Sequence, residues 1–159
     1  MNAPDPTPAI RFEPQDPGFA ARVRASFVRQ RAMALIGARI TAVEPGFCEI
    51  ELPWREDITQ QRGYVHGGII GMIADNACGY AAFTLMPAHA SVLTVEYKIN
   101  ILAPGRGELL VARGTVVKPG RTLSVATSEV HARQGGRAVL IATMQQTVMT
   151  LHNTPDTPE

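Results

Sequence analysis

A chain of 159 residues, 45% apolar and 18% charged, has the size and composition of one globular domain and excludes the disordered class. At this length folding buries roughly 70% of the unfolded surface, so neither a metal nor a disulfide is needed to hold the core. A formal net charge of +1 excludes the strongly basic surface that marks nucleic-acid and anionic-membrane binders, and no partner of either kind is expected.

Met1 to Pro17 carries five prolines and no apolar run. Residues 1–15 are therefore expected to be a disordered leader rather than a signal peptide, and 152–159 a similar tail. One domain is expected over 16–151. Asp16-Pro17-Gly18 predicts a helix start, with Asp16 as cap and Pro17 in the first turn. Phe19, Val23 and Phe27 then form one apolar stripe of a helix reaching about Ile36, where Gly37 stops it. Two strands, 39–44 and 47–52, flank the Pro45-Gly46 turn, and the second alternates Cys48, Ile50 and Leu52 with Glu49 and Glu51. Cys48 and Cys78 cannot make a disulfide framework; both lie in apolar stretches, which suits reduced thiols and a cytoplasmic location.

Trp54 to Val65 is polar and irregular, a loop of the length that is often functional. His66-Gly67-Gly68 closes it and opens a helix to about Met86, apolar nearly all round and so buried. Asp75 and Asn76 interrupt its most apolar stretch, which argues against a membrane span. Ser91 to Leu102 alternates, with Leu93, Val95, Tyr97, Ile99 and Ile101 on one face and Thr94, Glu96, Lys98 and Asn100 on the other. Further strands at about 108–118, 121–133 and 137–150 are punctuated by Pro104-Gly105, Pro119-Gly120 and Gly135-Gly136. Connections of hairpin length predict an antiparallel meander. The expected fold class is α+β: an antiparallel sheet of five or six strands wrapped on one long central helix, with an N-terminal helix beside it.

Asp75 is the first candidate for chemistry. Its helical neighbours at three and four positions are Gly71, Met72, Cys78 and Gly79, none able to neutralise a carboxylate. A buried charge needs a partner, so either another element supplies one or the acid is kept reactive. Gly67, Gly71, Asp75 and Gly79 form a stripe along one side of the helix, a groove with the acid as its one substantial side chain. Gly67 and Gly68 present the unpaired N–H groups of the helix start, where the dipole is positive and no Cβ blocks approach, a site suited to an oxyanion. Glycine there also simply permits a sharp turn. Gly67 and Asp75 lie about 12 Å apart along the axis at 1.5 Å per residue. One helix cannot bring its own acid to a carbonyl held at its own N-terminus. Two antiparallel helices can do so twice, which predicts an isologous dimer with two shared sites.

Gly63-Tyr64-Val65-His66-Gly67-Gly68, with Asp75 downstream and Gln60 upstream, resembles the hotdog-fold acyl-CoA thioesterases. The strand Val95 to Asn100 leading to Pro104, and Gly120-Arg121-Thr122, extend the likeness over residues 38–150. It looks most like the phenylacetic-acid-degradation branch of the 4-hydroxybenzoyl-CoA thioesterase superfamily. The resemblance implies a long helix wrapped by an antiparallel sheet, with dimers paired into tetramers. It implies that the Gly67 N–H polarises a thioester carbonyl, while Asp75 of the facing subunit attacks it or activates a water. Gln60 would position the carbonyl or the water, Thr94 would orient water, and His66 would shape the helix start. Coenzyme A needs cations for its phosphates. Arg121, at the position the family pattern makes basic, is the first choice, with Lys118 and Arg62 beside it; Gly68 and Tyr64 complete the expected substrate contacts, and Tyr64, Met72 and Phe83 are candidates for lining an acyl tunnel. Neither metal nor cofactor is expected. Two other functions compete with this reading. A hydroxyacyl-thioester dehydratase would carry histidine followed by phenylalanine and proline in the long loop, a signature not found here. A non-catalytic acyl-CoA sensor would be expected to carry a DNA-binding domain, for which the N-terminal stretch is too short.

Overall fold

A computed structural model describes residues 11–157. Most of the expected leader and the end of the expected tail lie outside the described residues. Within them, Phe12 packs against the core and Gln15 Nε2 donates to Leu85 O at 3.0 Å.

The elements are α1 (Phe19–Arg29), α2 (Arg31–Ile36), β1 (Arg39–Glu44), β2 (Phe47–Pro53), a 3-10 turn (Glu56–Ile58), α3 (Gly67–Phe83), β3 (Ser91–Ile101), β4 (Leu109–Lys118), β5 (Leu123–Gln134) and β6 (Arg137–Leu151). One six-stranded sheet has the order β1-β2-β4-β5-β6-β3, antiparallel at every pair. Its inner face wraps α3, whose Ile70, Ile73, Ala74, Ala77 and Phe83 are buried. The wrap is close because small residues meet there: a Cβ built at Gly114 of β4 would stand 2.1 Å from Ala77 O. This is the wrapped-helix arrangement expected from the sequence.

Four details differ from the sequence expectation. The N-terminal helix is two helices, because Gln30 leaves helical geometry (ψ 99) and its amide donates to Tyr80 Oη at 2.8 Å. Gly18, not Asp16, is the residue that caps α1; Asp16 Oδ1 accepts the Gly18 N–H at 2.8 Å and Oδ2 pairs with Arg22 at 3.1 Å. Helix α3 ends at Phe83 rather than near Met86, and Arg22 donates to Phe83 O at its last residue and to Met86 O just beyond it, at 3.2 and 2.8 Å.

The fourth is topological. Strand β3 does not neighbour β4 in a meander; it is the far edge of the sheet, paired with β6. The seven residues between Ile101 and Leu109 cross the ends of β6 and β5 to reach β4. Three strand spacings are about 14 Å, well within reach of that length of chain. The crossing is pinned by Leu102 N to Ile141 O (2.8 Å), Val65 N to Gly105 O (3.0 Å) and Glu108 N to Arg133 O (2.9 Å).

Candidate active site

The approach to α3 is a tight turn. Gln60 N donates to Tyr64 O at 2.8 Å and Gly63 N to Gln60 O at 2.9 Å, with Gly63 at φ +77, a left-handed conformation that favours glycine. His66 N then bonds Ile58 O at 3.0 Å and Val65 pairs with Gly105, so both sides of the helix start are fixed.

His66 is the N-cap of α3. Its Nδ1 accepts the Gly68 N–H at 2.9 Å, which requires a lone pair on Nδ1 and puts the ring proton on Nε2. The ring thus holds Gly68, not the Gln60 turn. The Gly68 N–H, expected to contact substrate, is occupied. The Gly67 N–H meets no acceptor among the described residues, and a Cβ built there would touch nothing within 4 Å. Gln60 folds its side chain onto its own turn, where Oε1 accepts from the Arg62 N–H.

Asp75 lies two turns further along α3, half-buried. Its Oδ1 accepts from Thr94 Oγ1 at 2.7 Å and from Gln146 Nε2 at 2.7 Å, and Gln146 Nε2 also donates to Thr94 Oγ1 at 2.8 Å. None of the ion pairs among the described residues includes Asp75, and its Oδ2 takes no hydrogen bond from them. The carboxylate is held by neutral donors on one oxygen, and the other oxygen is free. The partners supplied from other elements are the Thr94 hydroxyl of β3 and the Gln146 amide of β6.

Thr94 reaches Asp75 because β3 is bulged. The β3–β6 register shifts between Thr94 and Glu96. One extra residue reverses the alternation, so Thr94 faces the helix before the bulge and Tyr97 and Ile99 face it afterwards, 4.0 Å from a Cβ built at Gly71. The single uninterrupted face expected for Leu93 to Ile101 does not exist; Leu93 and Val95 are about half exposed on the edge strand. The proton of Thr94 is committed to Asp75, so a water beside this hydroxyl could only donate to it.

Gln146 has no place in the sequence expectation. It points inward from β6 between Met144 and Val148, and only 1% of it is exposed. Its one sequence signal, an apolar alternation through Met144 and Val148, is masked by the neighbouring Gln145, and the register of β6 decides which of the two glutamines points inward.

The cations fall into two groups. Lys118 ends β4 and Arg121 follows in the exposed β4–β5 turn, where Arg121 O bonds His152 Nε2 at 2.8 Å. Arg62 is exposed in the turn before α3, at the opposite end of β4, because Val65 pairs with Gly105 just ahead of that strand. Ten residues of strand separate the groups by about 33 Å. Within one chain Arg62 cannot share a phosphate with Lys118 or Arg121. Arg106, unnoticed in the sequence, stacks 4.8 Å over the Tyr64 ring and donates to its Oη at 2.6 Å. Met72 is half-buried beside Asp75, while Phe83 is fully buried at the far end of α3 and lines no open space.

A family model described as "Thioesterase superfamily" matches residues 62–139, the stretch that carries His66, Gly67, Asp75 and Thr94. A solved thioesterase family protein from Silicibacter pomeroyi is 50% identical with a TM-score of 0.84, over 85% of this chain and 99% of its own. A putative esterase of Halobacterium salinarum is 31% identical over 72% of this chain and 80% of its own length. A 1,4-dihydroxy-2-naphthoyl-CoA hydrolase of Listeria monocytogenes is 29% identical over 57% of this chain and 73% of its own length. With the wrapped helix, the unclaimed Gly67 N–H and the carboxylate on the same helix already described, these matches place the chain in the thioesterase superfamily.

Proposed function

We propose that the protein hydrolyses acyl-CoA thioesters to free acid and coenzyme A, in two sites shared across a twofold dimer. One observation carries this reading: among the described residues nothing donates to one oxygen of Asp75, and no cation neutralises the carboxylate. The thioester carbonyl binds at the Gly67 N–H, where the helix dipole favours the oxyanion that develops as the carbonyl is attacked. Asp75 Oδ2 of the partner either attacks that carbon, expelling the thiolate of coenzyme A and leaving an anhydride for water to open, or takes the proton of a water that attacks. No metal or cofactor enters either route.

The dimer is supported by two features on one side of the molecule. Strand β3 is a free edge of eleven residues with Leu93, Val95, Tyr97 and Ile101 about half exposed. The stripe of Gly67, Gly71 and Gly79 is unfilled: a Cβ at any of them would meet nothing closer than 4.0 Å. A second copy running antiparallel would cover both, and its β4–β5 turn would bring Lys118 and Arg121 to the substrate phosphates. The resemblance carried by Gly63 to Gly68 favours the phenylacetic-acid-degradation branch, and the named activity of the Listeria relative favours an aromatic acyl group. Pairing of such dimers into tetramers, and a cytoplasmic location fitting two buried unpaired thiols, complete the proposal.

The test is Asp75→Asn assayed on aromatic, short-chain and long-chain CoA esters. Turnover of the best substrate should fall about 10²- to 10⁴-fold while the fold and the dimer persist. A variant as active as the wild type would remove Asp75 from the reaction.

A further inference from the structure

We propose that Gln146 is a positioning residue for the Asp75 carboxylate, an inference that rests on Asp75 being the reacting acid. Gln146 lies beyond the stretch matched to the superfamily and is 1% exposed. Both protons of its amide nitrogen are used, one on Asp75 Oδ1 and one on Thr94 Oγ1. The second bond fixes the first partner as well. With the Thr94 oxygen accepting from Gln146, its own proton turns to Asp75 Oδ1. Two donors, from β3 and β6, thus converge on one carboxylate oxygen. These bonds hold Oδ1, and Oδ2 is left as the atom that takes no bond from the described residues.

The other end of the amide shows what the residue is for. Gln146 Oε1 is buried with no hydrogen-bond partner among the described residues. A buried acceptor without a donor destabilises the fold, and methionine or valine, the residues on either side at inward positions, would avoid that cost. A glutamine that served only to fill space would be an inferior choice there. Its N–H groups are the part in use, and their targets are the reacting acid and the threonine that supports it.

The experiment compares wild type, Gln146→Met and Gln146→Glu, with Asp75→Asn as reference, on the acyl-CoA ester that the wild type turns over fastest. Methionine matches the length of glutamine, removes both donors and deletes the orphaned oxygen. The expected result is a kcat about 10- to 100-fold lower, with KM changed by less than about twofold. The melting temperature should be equal or higher, since the unpaired oxygen has gone. Gln146→Glu keeps the shape, sets a second acid against Asp75 with at most one O–H donor in place of two N–H groups, and should lose kcat to a similar degree. A kcat within about twofold of wild type in either folded variant overturns the proposal. So does a kcat loss that appears only with a lowered melting temperature, or a KM that rises as kcat falls, because the role is then structural or one of substrate binding. If Asp75→Asn itself keeps full turnover, the Asp75 reading fails first, and that outcome is separate from the behaviour of Gln146.

Discussion

A carboxylate gripped by two neutral donors on one oxygen is restrained without being neutralised. Asp75 is in that state, and the residues that put it there differ in how visible they are in the sequence. Asp75 stands out because an acid interrupts an apolar helix, and Gly67 because a histidine and two glycines open that helix. Gln146 is hidden: beside Gln145 in a strand it looks like a surface amide, and only the β6 register shows that one of the pair points inward. The cysteines show the opposite limit, side chains whose role is packing alone. Burial pushes the Cys48 thiol from 9.0 up to about 12, and Cys78 is raised for the same reason, with the nearby Asp75 charge adding to it. The thiolate form is therefore unavailable in the native state near neutrality. Iodoacetamide at pH 8 should leave both thiols unmodified in the folded protein and alkylate both after denaturation, read by intact mass. The sign for stability follows. A folded-state value above the unfolded one gives a contribution that is complete below about pH 9 and is lost as pH rises towards 12. Tyr80, also raised mainly by burial, acts in the same direction. The denaturant midpoint should fall across that alkaline range.

At the scale of elements, what the sequence made legible was local. The apolar helix from Gly67, the β1–β2 and β5–β6 hairpins and the stop at Gly37 follow from periodicity and turn residues, which act over a few positions. The place of β3 was not legible, because strand order is decided by pairings far apart in the chain, and a connection of seven residues serves a hairpin or a crossing equally well. The bulge at Val95 was not legible either, since the residues around it alternate as though the strand were regular; yet the bulge is what turns Thr94 towards Asp75. Gly114 shows a further constraint that periodicity does not carry. It sits in the centre of β4, where glycine ordinarily weakens a strand. Its reason is the helix: a methyl group there would stand 2.1 Å from Ala77 O and 2.6 Å from Cys78 N, both backbone atoms. Gly114→Ala must push α3 off the sheet or bend β4. It should destabilise the fold by about 1–3 kcal/mol or more by overpacking, measured as a lowered denaturant midpoint against wild type. A midpoint equal to wild type would mean that the contact is looser than this geometry.

At the scale of the whole molecule, the proposed site draws on parts that one chain holds far apart. The Gly67 N–H and the Asp75 carboxylate share a helix but are separated along it by about 12 Å at 1.5 Å per residue. Lys118 and Arg121 sit at one end of β4 and the turn bearing Arg62 at the other. The fold places complementary halves on the same side: the unfilled glycine stripe of α3 and, beside it, the open edge of β3 with Leu93 and Val95 exposed. An edge strand of eleven residues with apolar side chains, which no element among the described residues covers, is a surface suited to pairing. If a second copy pairs there, activity and assembly are one property. Lysine in place of Leu93 and Val95 is the way to separate copies, because charges on an edge strand oppose strand addition, and both positions are half exposed, so the single chain loses little packing. The doubly substituted protein should elute as a monomer from size-exclusion chromatography, keep its circular dichroism spectrum, and lose acyl-CoA hydrolysis together with the dimer. Turnover should return with rising protein concentration if weak pairing survives, because each site needs two chains. A folded monomer that hydrolyses acyl-CoA at the wild-type rate, independent of concentration, would show that one chain can close the 12 Å gap by itself and would end the shared-site proposal.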